Sequence, residues 1–224
     1  MKSKQTQIHN FNSSEFTDKS TAVFESFIND LLQDKTTINI ALSGGSTPLP
    51  IYKNLAHLKL PWDKINFFLV DERCVPLTDS QSNYKNIAEV LFNHIPSKAF
   101  SMVQKGKPYK ESVDNYHQLL IKHLDKVNNI PQFDLMILGM GLDGHTASLF
   151  PDTKALKNMS DFVVVNRVPQ LKSDRITLTY PILINSKKLI LLIKGEEKRK
   201  VLERAKREEL PISKVTPFLD DILN

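Results

Sequence analysis

The chain has 224 residues, 41% of them hydrophobic and 25% charged. This is a globular composition, and no run reaches the ~18 consecutive apolar residues that cross a bilayer, so we expect no membrane partner. The net charge of +5 is spread along the chain without a zinc-finger or aromatic–basic signature, which predicts no nucleic-acid partner.

The start of the sequence and its cysteine content indicate the compartment. The polar stretch before Phe16 lacks the apolar core of a signal peptide. The single Cys74 cannot form an internal disulfide, which agrees with a reducing environment. We therefore expect a cytoplasmic protein.

Apolar, strand-like runs alternate with amphipathic helical patterns along the chain. In chain order, they predict a helix over 14–33, a strand over 38–42, a helix over 48–58, a strand over 65–70, a helix over 82–93, a short strand near 99–103, a helix over 109–127, a strand over 133–138, strands near 161–166, 175–180 and 188–193, and a helix over 196–207. The strands are apolar throughout, which is typical of parallel strands covered on both faces. We predict an α/β fold in one domain over 1–224: a Rossmann-like, doubly wound, mainly parallel sheet with helices on both faces.

Glycines and polar residues cluster where predicted strands end. Five of the seven glycines lie in Ser43–Pro48 and Gly139–His145, each directly after an apolar run. Glycine allows positive φ and close approach of a ligand to the backbone. A third polar cluster, Asp71–Arg73, follows another strand. Because ligands bind beyond the carboxyl ends of parallel strands, we expect the three clusters to converge on one site.

The first loop has the ingredients of a phosphate cradle. Ser43, Gly44, Gly45, Ser46 and Thr47 offer backbone N–H groups and hydroxyls at the start of a helix that begins at Pro48. The loop is not a Walker motif, because the spacing and the Lys-Ser/Thr ending are absent. A tight strand-to-helix turn with a Ser or Thr cap is the alternative.

The second loop carries the candidate catalytic residues. His145 lies in a glycine-flanked loop and is suited to act as a general base, and Asp143 can orient its ring. Alternatively, Asp143 turns the loop and His145 caps a following helix. The pattern Gly139-x-Gly141-x-x-Gly144 formally matches a dinucleotide fingerprint, but it lies late in the chain and lacks a clear acidic ribose ligand, so we interpret it as coincidental.

The third cluster, Asp71-Glu72-Arg73, places three charges at the end of an apolar strand. Such charges either face a polar cleft or pair with one another. No Cys/His cluster has metal-ligand spacing, so we expect no metal.

Four segments together resemble the 6-phosphogluconolactonase family. They follow one another in the family's order and span nearly the whole chain: Leu42–Pro48, Asp71–Arg73 followed by Ser82–Asn83, Leu138–Pro151 and Arg175–Thr179. One departure is Cys74, where lactonases often carry an aromatic residue.

The resemblance implies hydrolysis of 6-phospho-D-glucono-1,5-lactone to 6-phosphogluconate in the pentose phosphate pathway, without a cofactor and with no obligate protein partner evident. It implies that His145 activates water, that Asp143 supports it, and that Arg73 lies near the oxyanion or ring oxygen. Asp71 would bind sugar hydroxyls or anchor Arg73. The 6-phosphate would be bound by Ser43, Gly44, Gly45, Ser46 and Thr47 together with Arg175 and Lys198.

Two other functions come with this fold. Glucosamine-6-phosphate deaminases also have a Gly-Gly-Thr-Pro loop and an Asp-Gly-His, but Arg73 and the continuation Thr146–Pro151 resemble the lactonases, whereas deaminases resemble Ile-Ala-Phe-Asn-Glu-Pro at the latter place. A non-catalytic sugar-phosphate sensor would be expected to lose His145. Both functions are alternatives to lactone hydrolysis.

Overall fold

The computed structural model describes residues 5–224, so the first four residues of the polar N-terminal segment lie outside it. Within the described range the helices are α1 (Phe16–Asp34), α2 (Leu49–Leu55), α3 (Asn83–Val90), α4 (Tyr109–His123), α5 (Tyr180–Ile184) and α6 (Glu196–Arg204). The strands are β1 (Gln7–His9), β2 (Ile38–Leu42), β3 (Ile65–Leu69), β4 (Asp71–Arg73), β5 (Lys98–Ala99), β6 (Asp125–Val127), β7 (Ile130–Gln132), β8 (Leu135–Gly139), β9 (Val163–Val168), β10 (Ser173–Leu178), β11 (Lys188–Leu192) and β12 (Asp221–Leu223).

A central sheet of seven strands has the order β1-β12-β11-β8-β2-β3-β5, and every pairing in it is parallel. All residues of β2 and β3 are buried, so both faces are covered at the centre of the sheet. This explains why these strands are apolar throughout. The predicted α/β class with a mainly parallel sheet is confirmed.

The strand order reverses direction between β2 and β8. From β2 the chain proceeds outward to β3 and β5 on one side, whereas β8, β11 and β12 lie on the other side. In open α/β sheets the crevice at such a reversal is the usual ligand site. The loops that follow β2, β3 and β8 therefore leave adjacent strands at the same edge, as the sequence predicts.

The strands near 161–166 and 175–180 do not join the central sheet. They are β9 and β10, which form an antiparallel sheet with β4 in the order β4-β10-β9. The acidic and basic cluster Asp71–Arg73 is thus a short strand in its own right. Its register places Arg73 directly opposite Arg175.

Other differences lie at the ends of elements. The helix predicted over 109–127 ends at His123, because a hairpin of β6 and β7 follows and turns through Asn128 and Asn129 with positive φ. The edge strand β1, its neighbour β12 and the short helix α5 have no counterpart in the sequence prediction. None of the helices within residues 5–224 combines the length and the apolar character needed to cross a bilayer.

Candidate active site

The loop after β2 forms one wall of a cleft of about 240 Å³. Gly44 is required there because a Cβ atom would lie 2.0 Å from Oδ1 of Asn83, and Gly45 has φ of +100°. The buried hydroxyl of Ser43 has no hydrogen-bond partner among the described residues. Within the same range, the backbone N–H groups of 44–47 donate to no backbone carbonyl. These donors are available to a ligand.

Lys198 lines the same cleft as this loop. It lies in the first turn of α6, directly after β11, and is partly buried. Its ammonium group makes no ion pair with any residue in the range 5–224. Burial holds the pKa of Lys198 below its ordinary value. An unpaired, partly desolvated cation beside free donors is a favourable place for an anion.

The loop after β8 holds His145 and Asp143 as a dyad at the mouth of the cleft. Nδ1 of His145 lies 2.5 Å from Oδ1 of Asp143, and the imidazole ring stacks on Phe150 with centroids 3.9 Å apart. Partial burial acts to raise the pKa of Asp143, but the hydrogen bond and charge of His145 outweigh it and hold this pKa below its usual value. Nε2 of His145 has no partner among the described groups.

The backbone of this loop explains its glycines. A Cβ atom at Gly141 would lie 2.2 Å from the His145 ring, and one at Gly144, which has φ of +76°, would lie 2.6 Å from Leu210. No helix follows, since turns and an isolated bridge between Thr146 and Leu149 lead onward. The helix N-terminus that a dinucleotide fingerprint needs is therefore missing, and His145 is not a helix cap.

Glu72 does not pair with an arginine, so that alternative is wrong for this residue. Its carboxylate is fully buried and accepts hydrogen bonds from the backbone N–H groups of Arg73, Asn83 and Tyr84 and from the hydroxyl of Ser82. Burial raises the pKa of Glu72, and these hydrogen bonds oppose the rise. Its role is to hold the N-terminus of α3 against β4.

Asp71 is held by two polar neighbours. Its Oδ2 accepts a 2.6 Å hydrogen bond from Ser148, and Asn83 donates to its backbone oxygen at 3.0 Å and to its Oδ1 at 3.4 Å. No ion pair joins Asp71 to Arg73 in the described structure, so Asp71 does not anchor that arginine. Asn83 and Ser148 were not among the predicted site residues, although both lie within the segments that carry the family resemblance.

A second cleft of about 490 Å³ lies beyond the dyad and shares Asp71, Arg73 and His145 with the first. Arg175 lines this second cleft and not the first. Lys198 and the Ser43–Thr47 loop thus line one cleft, whereas Arg175 lines the adjoining one. Across residues 5–224, no three His, Cys, Asp or Glu side chains cluster as metal ligands would.

Comparison with known proteins shows the family of this chain. The profile of the family described as glucosamine-6-phosphate isomerases/6-phosphogluconolactonase matches residues 12–223. The chain belongs to this family. Among curated relatives, the 6-phosphogluconolactonase of Thermotoga maritima is 42% identical over 185 residues, which are 81% of this chain and 80% of that protein. That of Chlamydia pneumoniae is 36% identical over 181 residues, which are 78% of this chain and 67% of the relative.

Solved structures of family members have the same fold. The crystal structure of 6-phosphogluconolactonase from Thermotoga maritima superposes with a TM-score of 0.83 at 34% identity, covering 97% of both chains. The enzyme from Trypanosoma brucei superposes with a TM-score of 0.86 at 27% identity, covering 98% of this chain and 95% of that one.

Proposed function

We propose that the protein hydrolyses 6-phospho-D-glucono-1,5-lactone to 6-phosphogluconate, the lactonase step of the oxidative pentose phosphate pathway. The observation that carries this proposal is the His145–Asp143 dyad at the mouth of a cleft that holds an unpaired lysine and free loop donors. A base beside an anion-binding cleft is what hydrolysis of a phosphorylated ester requires. The 42% identity to a 6-phosphogluconolactonase supports the same assignment.

The dyad supplies general-base catalysis. When Asp143 accepts a hydrogen bond from Nδ1–H, the lone pair of the neutral ring lies on Nε2, which has no other described partner. Nε2 takes a proton from water, and the resulting hydroxide attacks C1 of the lactone. The C1–O5 bond then breaks, and the imidazolium returns the proton to O5. Neither step needs a metal or an organic cofactor.

Binding of the 6-phosphate positions the carbonyl for attack. The Ser43–Thr47 loop and Lys198 hold the phosphate in the first cleft, while Asp71, fixed by Ser148, accepts hydrogen bonds from sugar hydroxyls. Arg73 lies where the two clefts meet and stabilises the oxyanion that develops at C1. Binding energy from the remote phosphate increases the rate by orienting the reacting carbonyl.

The deaminase alternative is not favoured. In the deaminase pattern, the segment after Asp-Gly-His ends in an acidic residue followed by proline. This chain has Phe150 before Pro151. The Phe150 ring packs on the imidazole of His145 and has no group that can transfer a proton. Lactone hydrolysis needs no proton transfer at C2, so the substitution is compatible with the proposed reaction.

Four measurements test the proposal on one preparation. Hydrolysis of freshly generated phosphogluconolactone should exceed the spontaneous rate, and unphosphorylated gluconolactone should be a much poorer substrate. Glucosamine 6-phosphate should release no ammonia, and a chelator should leave the lactonase rate unchanged. Ammonia release without lactone hydrolysis would overturn the proposal. A cytoplasmic location and the lack of an obligate protein partner stay predictions.

A further inference from the structure

Arg175 is a buried cation whose side chain makes no hydrogen bond or ion pair with any residue in the range 5–224. Only 8% of the residue is exposed, and its Nε atom is buried without any hydrogen-bond acceptor in the described part of the chain. Burial, followed by the charge of Arg73, holds the pKa of Arg175 below its ordinary value, and the charges of Asp71 and Glu72 only partly oppose this. Because a desolvated charge is costly unless it is paired, such a side chain indicates a missing anion.

A second arginine adds to this unbalanced charge. Arg73 lies directly opposite Arg175 in the antiparallel register of β4 and β10, and like charges in that position destabilise a sheet. One guanidinium nitrogen of Arg73 donates to the backbone oxygen of Gln81 at 2.5 Å. The nearby carboxylate of Asp71 is engaged with Ser148 and Asn83. Two guanidinium groups therefore line the second cleft, and neither makes an ion pair with a carboxylate of residues 5–224, although the Asp71 carboxylate lines the same cleft.

The position of this pair relative to the dyad suggests which anion it takes. His145 and Arg73 line both clefts, Lys198 lines only the first, and Arg175 lines only the second. A ligand that reaches from one cleft to the other past His145 would meet a cationic group at each end. Guanidinium groups bind carboxylates through paired N–H donors.

We propose that Arg175 and Arg73 form a carboxylate subsite, which binds the oxygens of C1 as the lactone opens to the aldonate. This inference rests on the proposed function and assigns Arg175 to C1 rather than to the phosphate. Hydroxide adds to C1, the C1–O5 bond breaks with its electron pair on O5, and C1 keeps two oxygens as a carboxyl group that loses its proton. Only the open product carries an anion at both ends, so the two clefts together recognise it.

Comparison of two ligands distinguishes the contribution of the carboxylate to affinity from that of the phosphate. Glucitol 6-phosphate has the same open carbon chain and the same phosphate as 6-phosphogluconate, but a hydroxymethyl group replaces its carboxylate. Titration calorimetry of both ligands on the wild-type protein should show that 6-phosphogluconate binds about tenfold or more tightly, which is the gain that charge-assisted hydrogen bonds supply.

Matched variants show which residue binds the carboxylate end of the ligand and which binds the phosphate end. Arg175→Gln should remove the preference for the carboxylate and leave the dissociation constant of glucitol 6-phosphate unchanged. Lys198→Gln should weaken both ligands by the same factor. Arg167→Gln serves as the control, because Arg167 lies on the neighbouring strand β9, is exposed and pairs with Asp174; both ligands should bind as they do to the wild type.

Two results would overturn the inference. If Arg175→Gln weakens both ligands equally, Arg175 holds the phosphate; if it weakens neither, it holds no ligand. Should the glutamine variant fail to fold, Arg175→Lys is used instead. It keeps the charge but loses the paired N–H donors of the guanidinium group, so it should retain only part of the preference for 6-phosphogluconate. Turnover of phosphogluconolactone by the wild type is measured separately. Its absence would refute the proposed function, while the ratio of the two affinities would still decide the subsite.

Discussion

Substitution of Gly141 by alanine tests whether the position of the dyad governs the rate. A Cβ atom at Gly141 would lie 2.2 Å from Cε1 and Nδ1 of His145 and 2.7 Å from Oδ1 of Asp143. Gly141 does not have a left-handed φ, so its backbone conformation accepts alanine and the effect is steric. The three atoms nearest to that Cβ all belong to the dyad.

The magnitude follows from these distances. Ordinary van der Waals contact of a Cβ atom begins at 3.4 Å, so the imidazole ring and the methyl group must separate by ~1.2 Å, and a misplacement of ~1 Å can cost ~10²-fold in rate. We therefore expect Gly141→Ala to lose about 100-fold in kcat, equivalent to ~2.7 kcal/mol of transition-state stabilisation. The His145 side chain is 28% exposed and can swing toward solvent, so the free energy of unfolding should change little.

The measurement is a steady-state lactonase assay combined with urea unfolding. Gly139→Ala is the control for the dyad, because it adds a methyl group at the end of β8 at an ordinary 3.9 Å from Oγ of Ser43. Since Gly139 lines the first cleft, the comparison is made in kcat at saturating substrate and not in KM. The kcat of Gly139→Ala should stay close to that of the wild type. A well-folded Gly141→Ala protein with wild-type kcat would show that displacement of the dyad does not limit catalysis, and the proposed role of His145 would lose its support.

Three further predictions concern other groups of the site. His145→Ala should lose about 10²–10⁴-fold in kcat, and Asp143→Asn should lose less with KM unchanged; near wild-type turnover by a folded His145→Ala protein would contradict the assignment. Glu72→Gln replaces one acceptor oxygen by an amide donor and should lower the free energy of unfolding by roughly 1–3 kcal/mol for each of the two donors left without an acceptor, as measured in urea; an unchanged stability would argue against its capping role. Because burial lowers the pKa of Lys198, affinity for glucitol 6-phosphate should be full below that pKa and fall as the pH rises through it, before an ordinary lysine deprotonates. In that pH range, binding of the ligand should be coupled to uptake of a proton. Calorimetry in two buffers of different ionisation enthalpy measures this uptake, and equal binding enthalpies in both buffers would contradict the prediction.

The local sequence was sufficient to predict the elements around the crevice. The apolar runs at β2, β3 and β8 carry a strong signal because each strand is buried on both faces. The glycines of the two loops are equally informative, since Gly44 and Gly141 lie where a Cβ atom would collide with Asn83 and His145. The dyad itself is local, because Asp143 and His145 are two residues apart.

The edges of the sheet could not be predicted from local pattern. Strands β1 and β12 have three residues each, which is too short for a periodicity to emerge. Their extended conformation depends on hydrogen bonds between Gln7–His9 and Asp221–Leu223, at opposite ends of the sequence. The same holds for the end of α4, where the pairing of β6 with β7 stops a helical pattern that the sequence continues.

The placement of Arg175 shows most clearly what the local sequence cannot predict. Its sequence neighbours predict a strand, and a strand is what they form, but whether its side chain reaches the phosphate loop depends on which sheet that strand joins. The antiparallel pairing of β10 with β4 sets Arg175 opposite Arg73 and in the lining of the second cleft, whereas Lys198 lines the first. Residue types and spacing therefore determined the chemistry available to this protein. Long-range strand pairing, which only the tertiary structure contains, decided which charges meet.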